Sequence, residues 1–286
     1  MKAEDQRDVT AAVLAAVSGF LGGPSPDGDE WYFDFGEHLE SNWGAVYGGA
    51  IAAGTLAVAR FVAPDRSPRS LHLQIVRSVP RGRAFATTRV RHMGRTVATV
   101  EVDLYDERRK LAATALLTMV TPGALATQYH LTTAVPFEMT ERPAASDFGG
   151  NAPITESLNM VRRRNGQVAY LTVDNIRPSV EGSLPAVCEC TIPWDDLEVT
   201  GPESACLVAD ASVGAPVVNS TLPSDHLGPN PDLTLRFTTA PATPVIIGAG
   251  TILSVQHGTT SIGIEVQAGD HQLAHGLATS LLLPPG

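Results

Sequence analysis

Residues 47–59 read Tyr47-Gly48-Gly49-Ala50-Ile51-Ala52-Ala53-Gly54-Thr55-Leu56-Ala57-Val58-Ala59. From Ala50 onward almost nothing is polar. A helix apolar on nearly all sides has no face suited to water and belongs inside a protein. The reading places this helix within residues 44–62, with Pro64 and Pro68 ending it. Strand-like runs follow at Ser70–Ser78, Ala84–His92, Val97–Tyr105 and Leu111–Val120. Pro80-Arg81-Gly82, Met93-Gly94-Arg95 and Asp106–Lys110 separate them. Upstream, Trp31–Phe35 is an aromatic-rich strand. Arg7–Leu21 is a short amphipathic helix, with Val9, Ala12, Val13, Ala16 and Val17 at helical spacing. Residues 1–120 therefore predict one unit, in which antiparallel strands wrap a buried central helix.

Residues 121–153 have four prolines and no sustained period, so they predict a linker. The earlier pattern then returns over 154–286. Strands are expected at Leu158–Arg163 and Val168–Val173, with Asn165-Gly166 as a hairpin turn, and at Val187–Ile192. A second apolar helix is expected at Cys206–Ser220, with Pro216 as a residue that can shorten it. Strands follow at Asp232–Thr239, Val245–Gln256, Thr260–Gln267 and Leu273–Leu283. The halves align at one offset. Ser70–Ile75 matches Asp232–Phe237, and Leu111-Ala112 matches Leu273-Ala274, each 162 residues apart; Gly94 and Gly258 are 164 apart. This is an internal repeat of architecture more than of letters.

The bulk properties narrow the function classes. Apolar residues make up 43% of the 286, enough for a sizeable core, and charged residues only 17%. A net charge of −10 argues against nucleic acid, whose phosphates select basic surfaces. No run approaches the roughly 18 apolar residues of a membrane span. The N-terminus has no signal-peptide pattern, and a cytoplasmic protein is expected. Cys188, Cys190 and Cys206 form no disulfide framework and read as small buried hydrophobes. The histidines show no metal spacing, so neither a metal nor another cofactor is expected. The nucleophile elbow, the dinucleotide glycine fingerprint and the phosphate-binding loop motif are all missing.

In order and spacing, several motifs resemble the TesB-type acyl-CoA thioesterases. In the first half these are Tyr47-Gly48-Gly49 with its small-residue helix, Ser70-Leu71-His72, and Arg91-His92-Met93-Gly94-Arg95. In the second they are Leu207-Val208-Ala209-Asp210, Asp232–Phe237 and Gln272-Leu273-Ala274. The resemblance covers roughly residues 31–283 apart from the linker. It implies an α+β double hotdog: two fused halves, each an antiparallel sheet wrapped around a central helix. It also implies hydrolysis of an acyl-CoA or acyl-carrier-protein thioester.

Such chemistry needs a polarised carbonyl, an activated water and an acyl slot. Gly48 and Gly49 stand where a helix N-terminus would present free N–H groups to an oxyanion, or where close helix packing needs small residues. Tyr47 and Gly48 are expected at the substrate. Asp210 is the only acid in the apolar run Cys206–Val218, so it is either a general base or a helix N-cap. The resemblance gives it the water. It also implies a threonine where this chain has Asn230 and a glutamine where it has Ala278. Asn230 can still orient water through its amide; Ala278 cannot. Thr279 would need a register slip to serve, and Thr234 is a further candidate partner. His72 is either a substrate-binding or basic residue or a satisfied core histidine. Arg77, Arg81, Arg83, Arg91, Arg95 and Arg162–Arg164 are candidates for phosphate, Arg91 and Arg95 foremost.

Two other functions share this fold. A hydratase or dehydratase would use a His72/Asp210 pair. A binding protein with a degenerate site would explain the missing threonine and glutamine. The fused halves imitate a dimer of single units, and a homodimer or higher homo-oligomer is expected.

Overall fold

The computed structural model describes residues 3–125, 152–163, 186–218 and 229–283. The first half comprises α1 (Ala3–Leu21), β1 (Ser25–Asp27), β2 (Glu30–Phe35), a 3-10 turn (Glu37–Leu39), α2 (Gly48–Val62), β3 (Ser67–Ile75), β4 (Gly82–Met93), β5 (Val97–Asp106) and β6 (Leu111–Val120). The second comprises α3 (Pro153–Ser157), β7 (Val161–Arg163), β8 (Ala186–Thr191), α4 (Gly201–Val218), β9 (Asp232–Phe237), β10 (Val245–Gln256), β11 (Thr259–Ala268) and β12 (His271–Leu281).

Among the described residues the strands form one 12-stranded sheet in the order β1-β2-β4-β5-β6-β3-β9-β12-β11-β10-β8-β7. Each half of that order mirrors the other. The halves join where β3 pairs antiparallel with β9, and there His72 lies directly opposite Thr234. These two residues are also 162 apart in sequence, the offset of the repeat. A position that is both the repeat mate and the pairing partner of another lies beside the symmetry axis. A pseudo-twofold axis therefore passes between His72 and Thr234, and sequence offset and strand register agree on it.

Alternation along the strands decides which face is inside. Ala98, Val100, Val102 and Leu104 of β5 turn inward, as do Leu71 and Leu73 of β3 and Leu233 and Leu235 of β9. They cover α2, which is buried from Gly49 through Arg60, and α4, whose Ala205–Ala211 stretch is buried throughout. Close approach of α4 to the sheet depends on Gly248 of β10. A Cβ there would lie 2.0 Å from Ser212 Oγ and 2.7 Å from Val208 Cγ1.

The two central helices run antiparallel and are pinned at both ends. At one end the Arg60 guanidinium donates to both Glu203 carboxylate oxygens, at 3.1 and 2.9 Å, and to the Val199 carbonyl at 2.9 Å. The Glu203 side chain is fully buried, and that burial pushes its carboxyl up from the usual range, opposed by the Arg60 charge. Removing one partner strands the other in the core. Glu203→Gln is expected to cost about 3 kcal/mol in urea denaturation, and Arg60→Met with Glu203→Leu to recover most of it. A single-variant loss below about 1 kcal/mol would count the pair as incidental.

The structure corrects several expected boundaries. Helix α4 starts at Gly201, before the predicted Cys206, because Arg60 makes room for Glu203 inside; it continues past Pro216 to Val218. Pro68 does not terminate a helix but sits within β3, at a register irregularity where its missing N–H is tolerated. A short helix, α3, ends at Ser157 just before the predicted Leu158–Arg163 strand, of which only Val161–Arg163 forms β7. The Asn165-Gly166 turn, the Val168–Val173 strand and most of the linker lie outside the described residues. Among those described, no helix is long and apolar enough to cross a membrane.

Candidate active site

Asp210 lies mid-way along α4, on the side facing the start of α2. Its Oδ2 accepts the Gly49 N–H at 2.9 Å, and its Oδ1 accepts an N–H from the Asn230 amide at 3.0 Å. The reading of Asp210 as the N-cap of its own helix is thereby overturned, because α4 begins at Gly201. The carboxylate instead caps the neighbouring helix, where the N-terminal dipole favours its negative charge. The residue is only 8% exposed. Both carboxylate oxygens thus accept a hydrogen bond in this largely buried place.

The glycines make this contact possible. A Cβ on Gly48 would sit 3.0 Å from each Asp210 carboxylate oxygen. On Gly49 it would meet Cys206 O and Leu207 Cα, both at 2.9 Å, and Tyr47 Cε1 at 2.6 Å. The Tyr47 hydroxyl donates to Leu207 O at 2.6 Å and ties the approach to α2 against α4. The pairing of Gly49 with Asp210 also revises the expected roles. The Gly49 N–H is engaged by the carboxylate. Gly48, at the first position of α2, is partly exposed, and its N–H makes no hydrogen bond to a described residue. It is the better placed of the two for an oxyanion.

Asp210, Asn230, Tyr47 and Gly48 all line one cavity of about 440 Å³. Its apolar wall includes Val46, Ile51, Ile75, Val79, Ile154 and Met160. That size and lining suit a small organic ligand. Trp43, about half exposed, and Arg77 mark the side open to solvent.

Four expected site residues lie elsewhere. His72 and Thr234 are on the outer face of the sheet, hydrogen-bonded to each other through Nδ1 and Oγ1 at 2.6 Å. Their neighbours Leu71, Leu73, Leu233 and Leu235 take the inner face, so strand alternation sends these two outward. The sheet therefore separates His72 from Asp210, and the pair expected of a hydratase is not assembled. Arg91 is held by Glu101 at 2.6–2.8 Å, and neither Arg91 nor Arg95 lines the cavity. Of the candidate phosphate-binding arginines among the described residues, Arg77 does.

Ser280 was not anticipated. It is 3% exposed and lines the cavity with Asp210 and Asn230. Its position two residues beyond Ala278 on β12 puts it on the same face, which strand period alone would have shown. Cys206, one turn before Asp210, is no nucleophile. Burial pushes its thiol well above the usual range, and the nearby Glu203 and Asp210 charges push the same way.

The mirrored sheet around two antiparallel helices, with a carboxylate at their junction, defines a double-hotdog protein. Residues 39–120 match the family model of the acyl-CoA thioesterase N-terminal domain. Solved structures share the fold from end to end. One is an acyl-CoA thioesterase II, TesB2, from Mycobacterium marinum: 15% identity, TM-score 0.68, 95% of this chain and 99% of that one. A TesB protein from Mycobacterium avium subsp. paratuberculosis gives 15% identity and TM-score 0.68 over 96% and 100% of the two chains. A hot dog fold protein of unknown function from Alicyclobacillus acidocaldarius gives 15% and 0.66 over 94% and 98%. No curated protein matches the sequence.

Proposed function

We propose that the protein hydrolyses an acyl-CoA, or an acyl-carrier-protein thioester, to free acid and thiol. The observation that carries this reading is the Asp210 carboxylate, held by Gly49 and Asn230 at the wall of an apolar cavity. The acyl chain occupies the apolar wall. Gly48 N–H receives the carbonyl oxygen as negative charge develops on it. Asp210 takes a proton from water, whose oxygen bonds to the carbonyl carbon. The C–S bond then breaks, and the leaving sulfur recovers the proton from Asp210. Arg77, on the solvent side, offers a forked donor to a carrier phosphate.

The test is release of free thiol from a panel of acyl-CoAs of short to long and aromatic chains. Turnover of some members is expected, with Asn230→Ala reducing kcat. If no member is turned over although acyl-CoA binds, the acyl-binding reading replaces this one.

The same reading divides the chain into halves 1–120 and 154–286 joined by a linker over 121–153. It also places the protein in the cytoplasm as a homodimer or higher homo-oligomer. Exposed Leu116, Leu253 and Leu277 on the β6, β10 and β12 strands favour such an assembly. A monomer in light scattering would overturn it.

A further inference from the structure

We propose that Ser280, set in place by Thr260, is the second acceptor that grips the attacking water opposite Asp210. This inference rests on the thioesterase reading above. An attacking water is best held through its two hydrogens, which leaves an oxygen lone pair aimed at the carbonyl carbon. Asp210 can take one hydrogen. The Asn230 amide is committed through an N–H to Asp210 Oδ1. The acceptors left for the second hydrogen are the Asn230 carbonyl oxygen and the hydroxyl that Ser280 brings to the cavity wall.

Ser280 has the position. It is 3% exposed and shares the cavity lining with Asp210, Asn230, Pro229 and Pro231. The end of β12 runs beside that loop, where the next residue, Leu281, donates its N–H to Pro229 O. Ser280 therefore stands next to the segment that carries Asn230.

A separate observation points to the same residue. Thr260 is 0% exposed, and its Oγ1 has no hydrogen-bond partner among the described residues. A buried hydroxyl without a partner is unusual and unfavourable. Directly across the β11–β12 pair from Thr260 stands Ser280, and both turn inward. Paired Thr and Ser residues on one sheet face are close enough to hydrogen-bond. Rotation of the Ser280 side chain lets its O–H donate to Thr260 Oγ1. That bond satisfies the lone hydroxyl and turns the Ser280 lone pairs towards the cavity, where they accept the second O–H of water. Ser280 is then the group that touches the water, and Thr260 a positioning residue acting through it.

The experiment compares wild type, Ser280→Ala, Ser280→Thr, Thr260→Val and Asp210→Asn on the best acyl-CoA of the panel, with melting temperatures measured alongside. Ser280→Ala is expected to lower kcat roughly tenfold to a hundredfold at unchanged KM and melting temperature. Ser280→Thr keeps the hydroxyl and restores part of the rate. Thr260→Val is nearly isosteric and removes a hydroxyl that makes no bond in this conformation. It should leave the fold intact yet lower kcat about fivefold, the equivalent of one neutral hydrogen bond. Wild-type kcat in Ser280→Ala, or in Thr260→Val, overturns the proposal while leaving the thioesterase reading standing if Asp210→Asn is inactive. A wild-type protein that hydrolyses no thioester overturns both.

Discussion

Asp210→Asn is expected to lower kcat by about two to four orders of magnitude, the usual worth of a positioned general base. The expectation is specific because the substitution spares the rest of the site. The asparagine carbonyl can still accept the Gly49 N–H now bound at 2.9 Å. Its amide nitrogen would face the Asn230 amide nitrogen, but Asn230 can turn over and present its oxygen instead. The melting temperature should move by no more than a few degrees, and KM should change little. What disappears is the ability to take a proton from water. A variant keeping more than about a tenth of the wild-type kcat would reduce Asp210 to a cap for α2.

The largest stability effect is expected at Gly49. Helix propensity alone favours Gly49→Ala by about 1 kcal/mol, since the residue lies in the first turn of α2. Packing decides the other way. The new Cβ would come within 2.9 Å of two α4 backbone atoms, Cys206 O and Leu207 Cα. Backbone inside a buried helix cannot swing aside as a side-chain tip can. The helices must separate, and the hydrogen bonds from Tyr47 to Leu207 and from Gly49 to Asp210 lengthen together. A net loss of about 2–3 kcal/mol follows, or roughly 5–10 °C in melting temperature. Activity should fall as well, because Asp210 moves with α4. An unchanged or raised melting temperature would show that the junction has slack.

The central features of the fold are legible in the letters. The apolar run after Gly49 can only be an interior helix, and the alternation of β5 and β6 gives strands with one wet face. The repeat offset even locates the joint between halves, since the residues it equates, His72 and Thr234, are those that pair there. The site is partly legible. A lone acid in an apolar helix marks Asp210, and consecutive glycines mark the approach of another backbone. Other parts depend on distances between segments far apart in sequence. Nothing in the letters says that Arg91 will be held by Glu101, because that contact follows from a β4–β5 pairing that shifts register between Val90 and His92. His72 drew attention as a histidine, although Leu71 and Leu73 beside it already assign the inner face to themselves. Ser280 was in phase with Ala278, but its closeness to the Asn230 loop arises only when β12 folds back beside β9.

The pseudo-twofold axis between His72 and Thr234 carries one more consequence. When two separate but identical chains build such a sheet, each residue choice is imposed on both sides of the axis. A carboxylate introduced on one central helix appears on the other, and a glycine needed at one helix start is needed at its twin. Fusion lifts that constraint. Here the first half brings the helix start at Gly48 and Gly49, and the second brings Asp210, Asn230 and Ser280. On the proposed thioesterase reading, neither half taken alone would hold a complete set of reactive groups.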